Sequence, residues 1–167
     1  MKQQIIVSGM GGQGVLFLTR IIAGAGVDMS LEIFTSETHG MAQRGGSVIS
    51  TVKVGRFHSP LIRSGQGDVG IFLHPQNLPV HGHLLRLDAR ALVNTPEKGP
   101  WYHLDATAMA TEMGSPVLAN LILLGYGVGK SLFFCTPQQV ERAIETISRE
   151  RFVENNLKAF RRGLDAR

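Results

Sequence analysis

Cysteine is nearly absent: Cys135 is the only one in 167 residues. One thiol cannot close an internal disulfide or supply the ligand set of an iron–sulfur cluster, so this chain alone holds no cluster and fits a reducing compartment. Charge is also scarce, at 18%, as expected of a chain that buries part of its surface against a partner. Long apolar runs are missing too. None approaches the roughly 18 residues that span a bilayer, and the N-terminus enters a strand with no basic segment or apolar leader before it. The expectation is a soluble, cytoplasmic protein without membrane contact. The net charge of +4 is spread along the chain, with no long basic run interleaved with aromatics. That sets nucleic acid aside and leaves an anionic small molecule or an acidic protein as partner.

A chain of this length predicts one domain with a substantial core. Ile5-Ile6-Val7 is short, continuous and β-branched, as a strand covered on both faces should be. After it, Val15, Leu18, Ile22 and Ala25 repeat at helical spacing. Further strands are predicted at 31–35, 47–54, 68–73, 91–93 and 101–104, and the stretch from His74 to Leu85 has no clear assignment. Asp105 is placed to cap a helix over 106–113, and a second apolar helix is predicted over 116–124. Thr136-Pro137-Gln138-Gln139 combines an N-cap, proline at the first helical position and a capping-box glutamine, with Val140, Ile144 and Ile147 on one face behind it. A last helix is predicted over 152–162. This alternation argues a three-layer α/β/α domain on a Rossmann-like, mostly parallel sheet.

Between the first strand and the first helix stands Gly9-Met10-Gly11-Gly12-Gln13-Gly14. Residues 9, 11 and 14 fit G-x-G-x-x-G in the strand–loop–helix context that a phosphate-binding turn requires. Glycine lets a ligand approach main-chain N–H groups, and a helix N-terminus favours an anion there. Tight turn geometry alone explains the same glycines. A second loop, Ser36-Glu37-Thr38-His39-Gly40-Met41-Ala42-Gln43-Arg44-Gly45-Gly46, follows the second strand. If the first two strands are parallel neighbours, the two loops open on one edge of the sheet, where ligands of open α/β folds bind. The plain alternative is a surface Glu37–Arg44 pair.

Other candidates fall away. Gly125 to Ser131 looks like a P-loop, but Leu124 stands where the first glycine must be and a helix precedes it. His81 and His83 form a close pair without a third metal ligand at a recognisable spacing. No Gly-x-Ser-x-Gly and no cysteine in a catalytic context occurs.

The first loop, together with Ser36-Glu37-Thr38-His39-Gly40-Met41-Ala42-Gln43-Arg44-Gly45-Gly46, resembles the gamma-type subunit or domain of the 2-oxoacid:ferredoxin oxidoreductases. Within that family the pattern is most similar to the small beta subunit of the indolepyruvate enzymes. His103-Leu104-Asp105-Ala106-Thr107, Ala119-Asn120 and Leu124-Gly125 extend the resemblance over nearly the whole chain. It implies a pyruvate/ketoisovalerate oxidoreductase gamma-type domain over residues 1–167, acting in the oxidative decarboxylation of indolepyruvate or another aryl pyruvate to its acyl-coenzyme A. Thiamine diphosphate, Mg and iron–sulfur clusters then belong to a larger partner subunit, through which ferredoxin is reached. A homodimer is open to the chain expressed alone.

By the same resemblance, Gly9, Gly11, Gly12, Gln13 and Gly14 would hold phosphate groups of coenzyme A. Glu37, Thr38, His39, Gln43, Arg44 and Asn120 would lie at the partner interface or active-site mouth. No catalytic residue and no metal is expected of this chain, which should be inactive alone. Two competing readings stand beside this one. The first is a free-standing NAD- or FAD-binding module, with Glu32 or Glu37 on a ribose hydroxyl. The second is a structural subunit without ligand.

Overall fold

The structure, a computed structural model, describes residues 1–38 and 46–167. The N-terminal apolar run extends into β1 (Gln3–Met10), whose Ile5, Ile6 and Val7 are fully buried. It leads through the glycine loop into α1 (Val15–Asp28), which buries Leu18, Ile21, Ile22 and Ala25. Then come β2 (Ile33–Glu37), β3 (Ser47–Val54) and β4 (Gly67–Phe72). The stretch without a sequence assignment forms a short helix, α2 (Asn77–His81), and a 3-10 turn over Gly82–Leu84. The predicted strand at 91–93 is the end of a longer one, β5 (Leu85–Asn94), followed by β6 (Tyr102–Leu104). Four helices complete the chain: α3 (Ala106–Glu112), α4 (Ala119–Gly129), α5 (Pro137–Ile147) and α6 (Glu150–Leu164).

Among the described residues the strands form one mixed, mostly parallel sheet in the order β2-β3-β1-β4-β5-β6. β1, β4, β5 and β6 run parallel, while β3 is antiparallel to both β1 and β2. This corrects one expectation: the first two strands in sequence are not neighbours. β3 separates them, because Val48, Ser50, Val52 and Val54 are all buried and need an inside position. β2, only half-buried and ending Thr35-Ser36-Glu37, suits an edge. The second loop therefore joins two antiparallel strands rather than a strand to a helix. Because β1 and β2 still point the same way, both loops leave the same edge.

The two faces of the sheet are covered unequally. Ile5, Val7, Val52, Ile71 and Leu92 share one core with α1, α4 and the helices packed on them. Helix α4 is buried over residues 119–128, as a helix apolar on all sides must be. Its P-loop-like glycines serve this packing. A Cβ on Gly125 would run into the Phe160 carbonyl oxygen of α6, and one on Gly163 of α6 would run into the Ile122 carbonyl. The opposite face carries Ile6, Ser8 and Phe72 under α2, the 3-10 turn and the segment from Gly55 to Gln66. There Ser8 Oγ lies 2.7 Å from His81 Nδ1, and Lys53 Nζ donates to the Leu61 carbonyl at 2.8 Å while sitting over the Phe57 ring.

Candidate functional site

The site is built where the chain leaves the carboxyl ends of β1, β4 and β5. Sequence neighbours of β1 lie on one side of it and β4 on the other, so the crevice between β1 and β4 is the switch point at which ligands of open α/β sheets bind. The glycine loop turns through left-handed backbone at Gly12 (φ 89) and Gly14 (φ 79). Gly11, the middle glycine of the sequence pattern, is not in that region. Gly9 is a packing position: a Cβ there would come within 2.9 Å of Val15 Cγ2 and 3.1 Å of Leu73 Cβ.

Helix α1 begins at Gly14 with no side-chain cap and no acidic residue in its first turn. Its N-terminal donors and dipole thus meet no competing carboxylate, which suits an anion. Two loop amides are already committed. Gly11 N–H donates to the Gly46 carbonyl at 3.0 Å, and Gln13 N–H to the Met10 carbonyl at 3.1 Å.

The Gln13 side chain is committed as well. Its Oε1 accepts from Met10 N–H at 2.7 Å and its Nε2 donates to the Leu73 carbonyl at 3.0 Å, tying the end of β1 to the end of β4. Buried Asn94 repeats the device from β5. Its Nδ2 donates to the same Leu73 carbonyl and to Thr107 Oγ1, and its Oδ1 accepts from Thr107 N–H. Asn120, at the start of α4, donates to the Gln13 carbonyl at 3.2 Å and lies directly over Gly14. These amides fix backbone around a cavity of about 160 Å³, floored by Gly12, Gln13, Leu73, Asn94, Thr107 and Asn120. That is well short of the roughly 300–1,000 Å³ that encloses a whole small molecule, and it suits one phosphate-sized group.

Of the residues expected at the second loop, Glu37 closes β2 and Thr38 N–H donates to the Ile49 carbonyl. His39, Gln43 and Arg44 lie outside the described residues. Asn120 lies on the first loop, and the two loops meet at the Gly11–Gly46 bond. Asn94 and Thr107 were missed from sequence. Their one signal was a polar residue ending an apolar strand and a threonine in the first turn after Asp105, whose Oδ1 caps α3 through Ala108 N–H.

The acid that a dinucleotide site needs is not beside the glycine loop. Glu32 precedes β2 at the other edge of the sheet, 3.4 Å from Arg56. Glu37, with β3 intervening, is two strand spacings or about 10 Å from β1. Cys135 offers no nucleophile, since burial pushes its thiol up to about 12. Among the described residues no group of three or more His, Cys, Asp or Glu is placed to hold a metal, and no helix is long and apolar enough to cross a membrane.

Comparison with known proteins matches residues 4–166 to the family described as pyruvate ferredoxin/flavodoxin oxidoreductase. The indolepyruvate oxidoreductase subunit IorB of Archaeoglobus fulgidus is 32% identical, over 98% of this chain and 94% of that protein. Among solved structures, the gamma subunit of a keto/oxoacid ferredoxin oxidoreductase from Geobacter sulfurreducens superposes with a TM-score of 0.78 at 25% identity, covering 98% of this chain and 96% of that one. The 2-oxoglutarate:ferredoxin oxidoreductase of Magnetococcus marinus, solved with 2-oxoglutarate, coenzyme A and succinyl-CoA bound, shares the fold. Its TM-score is 0.79 at 20% identity over 97% of this chain but only 30% of that one.

Proposed function

Because the chain belongs to the pyruvate ferredoxin/flavodoxin oxidoreductase family, as a small subunit of a 2-oxoacid:ferredoxin oxidoreductase, we propose that it serves an enzyme of indolepyruvate or another aryl 2-oxoacid. The observation that carries this is the 32% identity over nearly the whole of both chains to the indolepyruvate oxidoreductase subunit. A single, buried cysteine cannot ligate a cluster. In this reading iron–sulfur clusters and thiamine diphosphate belong to a larger partner, where they would supply the decarboxylation and the electron transfer to ferredoxin.

This chain's own part is to bind and orient. The uncapped start of α1, the open side of Gly12 and a cavity of phosphate size support coenzyme A phosphate as the group held at the first loop. Gln13, Asn94 and Asn120 position the backbone around it. Glu37 and Thr38, with His39, Gln43 and Arg44, belong in this reading to the mouth that faces the partner. The dinucleotide alternative loses its support with the placement of Glu32 and Glu37.

The test has two arms. Purified alone, the chain should turn over no 2-oxoacid with coenzyme A and a viologen dye, while the complex with the larger subunit should prefer aryl over aliphatic 2-oxoacids. In that complex, Gly12→Ala should raise the Kd for coenzyme A at least tenfold by titration calorimetry, because Gly12 lines the cavity and the added methyl group, which meets no protein atom within 4 Å, takes up space left open there. Turnover by the isolated chain would sink the subunit assignment; unchanged affinity in a folded complex would leave the loop a turn.

A further inference from the structure

Beside the phosphate-sized cavity lies a second one, which the proposed function leaves unused. It has about 310 Å³, against about 160 Å³ for the first, and both are lined by Val117 and Asn120. The second begins at Gly14, where α1 starts, and is walled by Phe17 of α1, by the 3-10 turn Pro116–Leu118 and by the first turns of α6. Most of that wall is apolar, from Phe17, Val117, Leu118 and Phe152. Two of these, Val117 and Phe152, are half exposed although they are large and apolar, so part of the wall waits for cover. A cavity of this size accepts a ring that the first cannot.

Carboxamides interrupt the apolar lining at one place. Asn156 is only 9% exposed, and its Nδ2 donates to Ser148 Oγ at 2.9 Å. Its Oδ1 accepts from no group among the described residues. An acceptor this deep is costly to leave unmet, and here it lines a cavity. Exposed Asn155 stands next to it on the same wall with its own amide uncommitted. The matching ligand is a flat ring with apolar faces, an amino donor on its edge and a ring nitrogen acceptor beside that donor. Adenine has this edge, and a carboxamide meets it with one acceptor and one donor. An aliphatic chain would leave Asn156 Oδ1 unmet.

We propose that this second cavity takes the adenine base of the ligand whose phosphate sits at the first loop, with the ring against Phe152 and its amino group donating to Asn156 Oδ1. The proposal rests on the coenzyme A reading of that loop and assigns the other end of the nucleotide. The phosphates then cap the start of α1 while the base lies along its first turn, next to Gly14 and Phe17.

The experiment titrates the complex with the larger subunit by calorimetry, using coenzyme A, 4′-phosphopantetheine, ADP and IDP as probes. Wild type should bind ADP at least tenfold more tightly than IDP, whose ring carries a carbonyl in place of the amino group and would meet Asn156 Oδ1 oxygen to oxygen. Phe152→Ala, at a half-exposed position, should raise the Kd for coenzyme A and for ADP at least tenfold and leave that for phosphopantetheine unchanged. Gly12→Ala should weaken all three, since each brings a phosphate to the loop. Wild type that binds neither coenzyme A nor phosphopantetheine, or a Gly12→Ala complex that binds both as wild type does, would overturn the loop reading and this one with it. Coenzyme A binding that Gly12→Ala weakens and Phe152→Ala does not, or equal affinity for ADP and IDP, would overturn this inference alone.

Discussion

Gly12 and Gly14 both hold left-handed backbone, yet a methyl group meets different surroundings at the two. At Gly12 it finds open space, so Gly12→Ala costs only the conformational strain, about 1–2 kcal/mol. At Gly14 it lands on Asn120 Nδ2, so the same strain is joined by about 1–3 kcal/mol of overpacking, and Asn120 must release the Gln13 carbonyl. Urea denaturation should therefore rank wild type above Gly12→Ala and both above Gly14→Ala. Equal losses at the two positions would mean that Asn120 yields without cost. The remaining loop residue that looks ligand-ready, Gln13, spends both ends of its amide on Met10 and Leu73, so its replacement acts through the shape of the crevice and not through a lost ligand contact.

At the scale of elements, the closest approach is that of α4 and α6, where backbone meets backbone through Gly125 and Gly163. Gly163→Ala forces the helices apart along a fully buried seam, with an expected loss of about 3 kcal/mol or more. In a chain of this size that is a Tm lower by roughly 6–12 °C; a melt within a degree of wild type would show the crossing to be loose. From the sequence these glycines looked like a failed nucleotide motif, because a helix–helix contact between residues 125 and 163 leaves no local pattern. Helix α5 was legible for the opposite reason: Thr136, Pro137 and Gln139 carry the instructions for its start within four residues, and the capping box is formed. Strand order was not legible, since nothing within Ser47–Val54 names its neighbours and only the competition for burial puts β3 inside β2. The site divides in the same way. The glycine loop announces itself, whereas Asn94 and Thr107 are brought to it from other strands and helices by the sheet. Asn120 came from the resemblance, with its place on the first loop set by α4.

For the whole molecule, the unequal cover of the sheet concentrates a pH sensitivity on the weaker side. Ser8 is fully buried and its hydroxyl meets His81 Nδ1, while burial, helped by the neighbouring charge of His83, holds the imidazole below its ordinary value of 6.5. The unfolded chain then takes up this proton first, so the contribution is complete above about pH 6.5 and is lost as pH falls below it. The stability of wild type relative to His81→Gln should be constant above pH 7 and should narrow below 6.5. A difference unchanged down to pH 5 would show that the imidazole does not titrate between the folded and unfolded states. Close by, just past the end of β1, the bond from Gly11 N–H to the Gly46 carbonyl makes the end of one loop part of the anchor of the other. Thermodynamic reciprocity then applies: by whatever factor a protein seated at residue 46 alters anion affinity at Gly12, the anion alters that protein's affinity by the same factor. In the proposed reading, the coupling between an anion at Gly12 and a subunit at residue 46 runs through one shared amide.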